Sequence, residues 1–320
     1  MNRGLTVESA FQMTKLHLDT DLGGDIDDLC ALVMLCNWPG VELSGVTTNQ
    51  DDRGARAGYV RYALKLAGRD GVPVAAGADI SSGSYRYYPG LPDADRYWPE
   101  PIPAAPGPLE KALDLLEQSI RDDALILGIG AYTNLALLEK RKPGCLQRAN
   151  LWLMGGYVFP PRNGFPQWDH TMDWNMQIDA QSTLLVLEQA NPVLVPITIT
   201  IETWLRRADL PALRQAGPLG QLIARQAEAW AVDHQMEARF GQTCSGLPKD
   251  TINFQHDPLA CAIALGWIDG VEIEEIPLVS EIREGWIRQR VDPAGKPTRV
   301  VTRVDAAKFA NFWLGVVANR

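Results

Sequence analysis

Short apolar runs alternate with amphipathic stretches along most of the chain. KLHLDTD (15–21) predicts a buried strand that ends in acid, and DDLCALVMLCN (27–37) predicts a helix. VELSGVTT (41–48) and VPVAAGAD (72–79) read as strands on either side of an amphipathic helix, RGARAGYVRYALKLAG (53–68). The rhythm continues with helix 108–120, strand ALILGIG (124–130), helix 133–140 and strand NLWLMGG (150–156). Helix 179–190 and strand PVLVPITI (192–199) follow, then a long helical stretch at 218–240 and a short helix from His256. Residues 275–304 alternate with period two around DPAGKP, which predicts an antiparallel hairpin on the sheet edge, and 305–318 closes as a helix. Strand–helix alternation of this kind predicts an α/β fold, a doubly wound and mainly parallel sheet covered on both faces. With no repeat and no low-complexity linker, the expected division is a tail over 1–14 and one domain over 15–320.

Two stretches break the rhythm. Residues 80–107 are rich in Pro, Tyr and Gly, and 157–177 carry Trp168 and Trp174. Loops of that length in a compact domain are usually functional, and their aromatics offer flat surfaces for a planar ring.

Composition narrows the classes. A net charge of −9 over 320 residues, with no Lys/Arg cluster, argues against gripping nucleic acid. Five cysteines without a CxxC pair read as buried thiols in a reducing compartment. No apolar leader and no run of about 18 apolar residues is seen, so the expectation is a cytoplasmic protein with no membrane partner.

The chemistry concentrates at DTDLGGDIDD, where Asp19, Asp21, Asp25, Asp27 and Asp28 fall within ten residues at the end of the first strand. Open α/β sheets bind ligands at that edge. Helix capping accounts for Asp27 and Asp28 but not for five crowded carboxylates, which repel one another. A hard cation, Ca²⁺ or Mg²⁺, resolves the conflict. Asp19-Thr20-Asp21 after a strand also fits a Mg²⁺-dependent phosphotransferase of the haloacid-dehalogenase type, with Asp19 as nucleophile. Gly23 and the GGDIDD run depart from that class. A second candidate is His256-Asp257 at a helix start, either a plain cap or a further carboxylate beside an acid that titrates near neutral pH. Gly128-Ile129-Gly130 is an incomplete dinucleotide fingerprint and weak support for NAD.

These landmarks, in this order, resemble the inosine–uridine-preferring nucleoside hydrolases from about Leu16 onward. They are DTDLGGDIDD, GVTT at 45–48, VPVAAGAD, Thr133-Asn134, LMGG at 153–156, Asp173-Trp174-Asn175 in place of Glu-Phe-Asn, and HDPLA at 256–260. The resemblance implies hydrolysis of the N-glycosidic bond of a ribonucleoside, with Ca²⁺ as cofactor, in nucleoside catabolism and salvage. It implies that Asp21 binds Ca²⁺ and acts as general base on a water, that Asp28, Asp257 and the Ile129 carbonyl are metal ligands, and that His256 protonates the leaving base. Asp27, Met154, Asn163, Asp173, Asn175 and Asp257 would hold the ribose. A homodimer or homotetramer is implied as well. A non-catalytic ribose-binding relative is the other alternative, against which the intact Asp21, Asp28, His256 and Asp257 set argues. The chain departs from the family pattern at 84–101, SYRYYPGLPDADRYWPEP, which lacks the usual His-Gly stretch, and at Asp25, for which the pattern has no matching position. After GVTT the expected Asn is replaced by two candidates, Asn49 and Asp52.

Overall fold

The computed structural model describes residues 13–87 and 90–318. The tail expected over 1–14 lies outside the described residues as far as 12, and Thr14 already opens the first strand. Eleven strands are present among the described residues: β1 (Thr14–Thr20), β2 (Val41–Thr48), β3 (Val74–Ala76), β4 (Leu125–Gly128), β5 (Asn150–Met154), β6 (Val193–Val195), β7 (Trp204–Arg206), β8 (Thr251–Phe254), β9 (Glu272–Arg283), β10 (Trp286–Val291) and β11 (Lys296–Arg303). Nine of them form one sheet in the order β10-β9-β11-β6-β5-β4-β1-β2-β3, and β7 pairs β8 separately. Pairing is parallel from β3 through to β11, and β9 and β10 add antiparallel strands at one edge.

Helices of eight residues or more are α1 (Asp27–Asn37), α2 (Ala55–Leu66), α3 (Leu109–Arg121), α4 (Thr133–Arg141), α5 (Ala180–Gln189), α6 (Gly217–Asp233), α7 (His256–Ala264) and α8 (Ala306–Ala318). They cover both faces of the sheet. The central strands alternate accordingly, since successive strand residues point to opposite faces. Leu125, Leu127, Trp152 and Met154 join the core under α1, α6, α7 and α8, whereas Ile126, Leu151 and Leu153 join the core under α3, α4 and α5. Helix α1 is buried at every position but its last, because α7 and α8 pack over the side turned away from the sheet. Helix α3 shows the opposite pattern. It buries Ala112, Leu113, Leu116, Ser119 and Ile120 at helical spacing and leaves a charged face in solvent. Each buried Leu or Ile there stabilises the packing by about 1.5–3 kcal/mol.

At the C-terminal edge the antiparallel addition is as expected, but its turn is not. Residues flanking DPAGKP do not pair with each other, because β9 lies between β10 and β11. The tight hairpin turn is Glu284-Gly285, both at positive φ (51° and 80°), which suits a two-residue connection that follows strand twist. PVLVPITI is also split. Pro196 ends β6, and Ile197–Thr200 form a helical turn.

Strand β1 lies between β2 and β4. The chain runs outward through β2 and β3, then crosses back to β4 on the other side of β1. That reversal opens a crevice beyond the carboxyl ends of β1 and β4. His17 and Asp19 tie the neighbouring strands beneath it. The His17 ring bonds Ser119 and Thr47 at 2.9 Å each, and burial pushes its pKa down to about 3. Asp19 accepts from the Thr47 hydroxyl (2.6 Å) and from the amides of Asn134 (2.7 Å) and Asn49 (3.3 Å). No described helix is long and apolar enough to cross a membrane.

Candidate active site

The loop between β1 and α1 carries the acids into the crevice. Gly23 takes φ of +111°, and a Cβ there would stand 2.6 Å from the Tyr59 ring. Only glycine fits such a turn. The Thr20 hydroxyl donates to the Asp28 carboxylate and accepts from the Leu22 amide (3.2 Å). Asp25 accepts from the Ile26 N–H and from the Asn253 side chain, both at 2.6 Å.

Helix α1 starts without a side-chain cap, so capping does not explain Asp27 or Asp28. Asp27 instead accepts from the Asp257 backbone N–H at 3.3 Å, across from the N-terminus of α7. Carboxylate oxygens of Asp27, Asp28 and Asp257 lie within 4.8 Å of one another, and all three residues are buried. Burial first, and then mutual repulsion, raises the pKa of each well above the usual carboxylate range. Burial also raises Asp21, opposed by the Arg56 guanidinium, and takes Asp25 to about 7. Arg56 spends its donors on backbone carbonyls: Gln50 (3.1 Å), Leu22 (3.3 Å) and Asp21. The carboxylates are therefore short of positive charge, and their donor atoms are all oxygen. That chemistry suits a hard divalent cation.

Asp21, Asp27, Asp28, Ile129, Met154, Asp173, Asn175, His256 and Asp257 line one cavity of about 570 Å³. Nine of the ten residues to which the resemblance gives a role thus meet. The tenth, Asn163, is exposed and does not line the cavity; its neighbour Arg162 is held by Glu202. Asp173 lines the cavity, and its oxygens also accept from the N–H groups of Gly156 (2.5 Å) and Met176 (3.1 Å), so that it caps the turn Trp174–Gln177. Burial takes its pKa to about 6. The Asn175 amide donates to the Ile129 and Met154 carbonyls, both at 3.1 Å.

His256 bonds the Thr200 hydroxyl through Nδ1 at 2.7 Å. Burial pushes its pKa down to about 3, so the ring is neutral near pH 7 rather than titrating there as the sequence suggests. Asp19, the nucleophile a phosphotransferase would need, faces inward and does not line the cavity. The two candidates for the expected Asn are placed differently, Asn49 beside Asp21 over Gly130 and Asp52 away from it. Asn49 serves Asp19 and the Ala131 N–H, and Asp52 lies at the surface. Gln50, in the left-handed region at φ of 48°, donates to Asp21 at 3.3 Å instead.

Sequence reading missed most of the wall opposite the carboxylates. Trp168, Phe240 and Phe254 meet edge to face at 5.2–5.7 Å, and His256 lies 5.5 Å from Phe254 and 6.3 Å from Trp168. Trp230 stacks on His234 at 3.6 Å. Trp168 stood out as a loop aromatic, but Trp230 and Phe240 sit at helical spacing that reads equally as core.

A doubly wound sheet that gathers buried carboxylates at its switch point, with an aromatic wall and a histidine facing them, defines an N-glycosyl hydrolase of the nucleoside-cleaving class. The chain belongs to the inosine-uridine preferring nucleoside hydrolase family, whose model matches residues 16–311. Uridine nucleosidase 1 of Arabidopsis thaliana is 29% identical over 213 residues, covering 61% of this chain and 59% of that protein. An uncharacterised protein of Schizosaccharomyces pombe is 29% identical over 236 residues, covering 68% and 73%. Among solved structures, the purine-preferring ribonucleoside hydrolase from Gardnerella vaginalis has the same fold (TM-score 0.75, 20% identity, 95% of this chain and 98% of that one). A plant nucleoside hydrolase does too (TM-score 0.71, 18% identity, 96% and 100%).

Proposed function

We propose that the protein hydrolyses the N-glycosidic bond of a ribonucleoside with Ca²⁺ as cofactor, releasing free base and ribose. The observation that carries this reading is the buried Asp27, Asp28 and Asp257 group beside Asp21, with His256 on the same cavity. Asp21, Asp28, Asp257 and the Ile129 carbonyl would hold the cation. When bound, the cation supplies the missing positive charge and acidifies a water molecule. Asp21 would take a proton from the attacking water as the water oxygen bonds to C1′ of the sugar. The C1′–N bond breaks with its electron pair leaving on the base, and positive charge develops on the ribose ring. Carboxylates around the sugar stabilise that charge. Asp27 and Asp257 accept from ribose hydroxyls, with Met154 and Asn175 forming the wall behind.

His256 offers a hydrogen bond to the departing base from a neutral ring, and the base takes its proton from solvent. The Thr200 hydroxyl lies 2.7 Å from Nδ1 and 3.2 Å from the Ile197 carbonyl, and the tautomer in which Nδ1 accepts places the N–H on Nε2 for the base. The aromatic wall of Trp168, Phe240 and Phe254 continues from His256 and suits a stacked base.

The test is ribose release from a panel of purine and pyrimidine ribonucleosides, with Ca²⁺ and with chelator. Calcium-dependent release is expected. No release from any member, with the cation shown to bind by calorimetry, refutes the reading.

A further inference from the structure

We propose that Asp25 is a positioning residue whose bond to Asn253 sets the distance between the two halves of the cation site. This rests on the cation reading of the site above. The halves come from opposite ends of the chain: Asp27 and Asp28 open α1, and Asp257 lies in the first turn of α7. Asp257 donates its N–H to Asp27 at 3.3 Å, which is long for such a bond. The Asp25 carboxylate, just before Asp27 in the chain, accepts from the Asn253 amide at 2.6 Å. Asn253 in turn stands just before His256 and Asp257. The shorter bond therefore ties the same two segments.

Asp25 does not belong to the converging group itself. Among the described residues, the acids whose oxygens meet are Asp27, Asp28 and Asp257. Asp25 lines the same cavity but turns Oδ1 to the Ile26 N–H and the Asn253 amide, both at 2.6 Å. Its partner is built to hold it. Asn253 is fully buried on β8, and its own oxygen accepts from the Gln255 amide at 3.3 Å. That bond fixes which way the Asn253 amide faces and leaves its N–H group for Asp25. The end of β8 is anchored as well, since the Thr203 hydroxyl donates to the Gln255 carbonyl at 3.1 Å. The strut thus runs from a fixed strand end to the acid loop.

The loop is braced on its other side. The Tyr59 ring fills the space a Cβ at Gly23 would take, and it stacks on Trp98 with centroids 4.2 Å apart. Leu91 packs beside the same turn. Trp98 and Leu91 belong to the 84–101 stretch, so both departures from the family pattern meet here. Held between Tyr59 and Asn253, the extended loop presents Asp27 and Asp28 in one place. Partners that orient metal ligands in this way are worth about 10–100-fold in metal affinity.

The experiment measures Ca²⁺ affinity of the full chain by calorimetry, with thermal melts in chelator alongside. Asp25→Ala and Asn253→Ala should each weaken Ca²⁺ binding about 10–100-fold. The double variant should bind no more weakly than the weaker single, because the same bond is missing in all three. Asp25→Asn keeps an acceptor for the Asn253 amide and should recover most of the affinity. An Asp25→Asn protein that binds as weakly as Asp25→Ala overturns the proposal, because the charge and not the tie is then what matters. Losses that add in the double variant overturn it too. So does an Asp25→Ala protein that melts lower yet binds Ca²⁺ like wild type, the mark of a purely structural role. A wild type that binds no Ca²⁺ overturns the cation reading itself, and the strut with it.

Discussion

Asp28→Asn separates the electrostatic cost of the site from its use. Carboxylate oxygens of Asp27, Asp28 and Asp257 lie within 4.8 Å of one another, and none of the three residues is more than 4% exposed. Two unit charges at that distance repel by about 3.5 kcal/mol at an effective dielectric near 20. Asp28 faces two such neighbours, so full ionisation would cost about 7 kcal/mol at this residue alone, comparable to the whole stability of a typical domain. The cation-free protein avoids this by holding protons, and the pKa values are raised accordingly. The sign follows from linkage. A carboxyl whose folded pKa lies above its unfolded value keeps a proton that the unfolded chain gives up, so stability falls as pH rises from about 4 through neutrality. Asn at position 28 removes one charge and keeps an acceptor for the Thr20 hydroxyl. Thermal unfolding followed by circular dichroism at pH 5.5 and pH 8, with chelator and with Ca²⁺, reads the outcome. In chelator at pH 8 the variant should melt at least about 2–4 °C above wild type, and the gap should narrow at pH 5.5. Ca²⁺ at a hundred times its Kd should stabilise wild type by about 2.7 kcal/mol and leave the variant unmoved and inactive. A variant that melts with or below wild type in chelator at pH 8 refutes the argument that repulsion strains the empty cluster.

Asp21→Asn should lower kcat about 10²–10⁴-fold, the usual worth of a general base, with circular dichroism unchanged; near-normal turnover would remove Asp21 from that role. Thr200→Val leaves the His256 Nδ1 without its 2.7 Å partner, and a fall in kcat of about tenfold at constant KM is expected from steady-state kinetics. His17 is held neutral with a pKa near 3, so the fold loses stability as pH falls below about 6.5, by about 1.4 kcal/mol per pH unit until pH 3. Urea midpoints at pH 7 and pH 4 should therefore differ less in His17→Gln than in wild type, and equal differences would contradict the assignment.

What the sequence made legible is the part of the site carried by contiguous residues. The acids of the β1–α1 loop and the His256-Asp257 pair stand beside strand ends and helix starts, where local pattern and chemistry coincide. The parallel sheet was legible for the same reason: each strand is a short apolar run between helices of clear period. Distance in the chain hid the rest. Asp19 looks like its neighbour Asp21, and only the partners Thr47, Asn49 and Asn134 show that it faces inward as a tie between strands. Asp173 lines the cavity, and only the structure shows that the N–H groups of Gly156 and Met176 hold it in place there. Gln50 gives no signal, because its role follows from a left-handed backbone that no local motif announces. The edge hairpin was displaced because DPAGKP has stronger turn chemistry than Glu284-Gly285, although the latter makes the tight connection.

Asp27 and Asp257 meet through a hydrogen bond that joins positions 230 residues apart. Ribosomal synthesis delivers the first of these long before the second. Until α7 arrives, the acidic loop is only half of a binding site, and its carboxylates face water. The cation site therefore closes late, as one of the last long-range contacts of the growing chain. Fragments that stop before β8 retain β1 through β6 but have no means of assembling the trio. Two separately made halves, mixed, would regain cation binding only where the second half docks correctly, which makes cation uptake a direct report on completed folding.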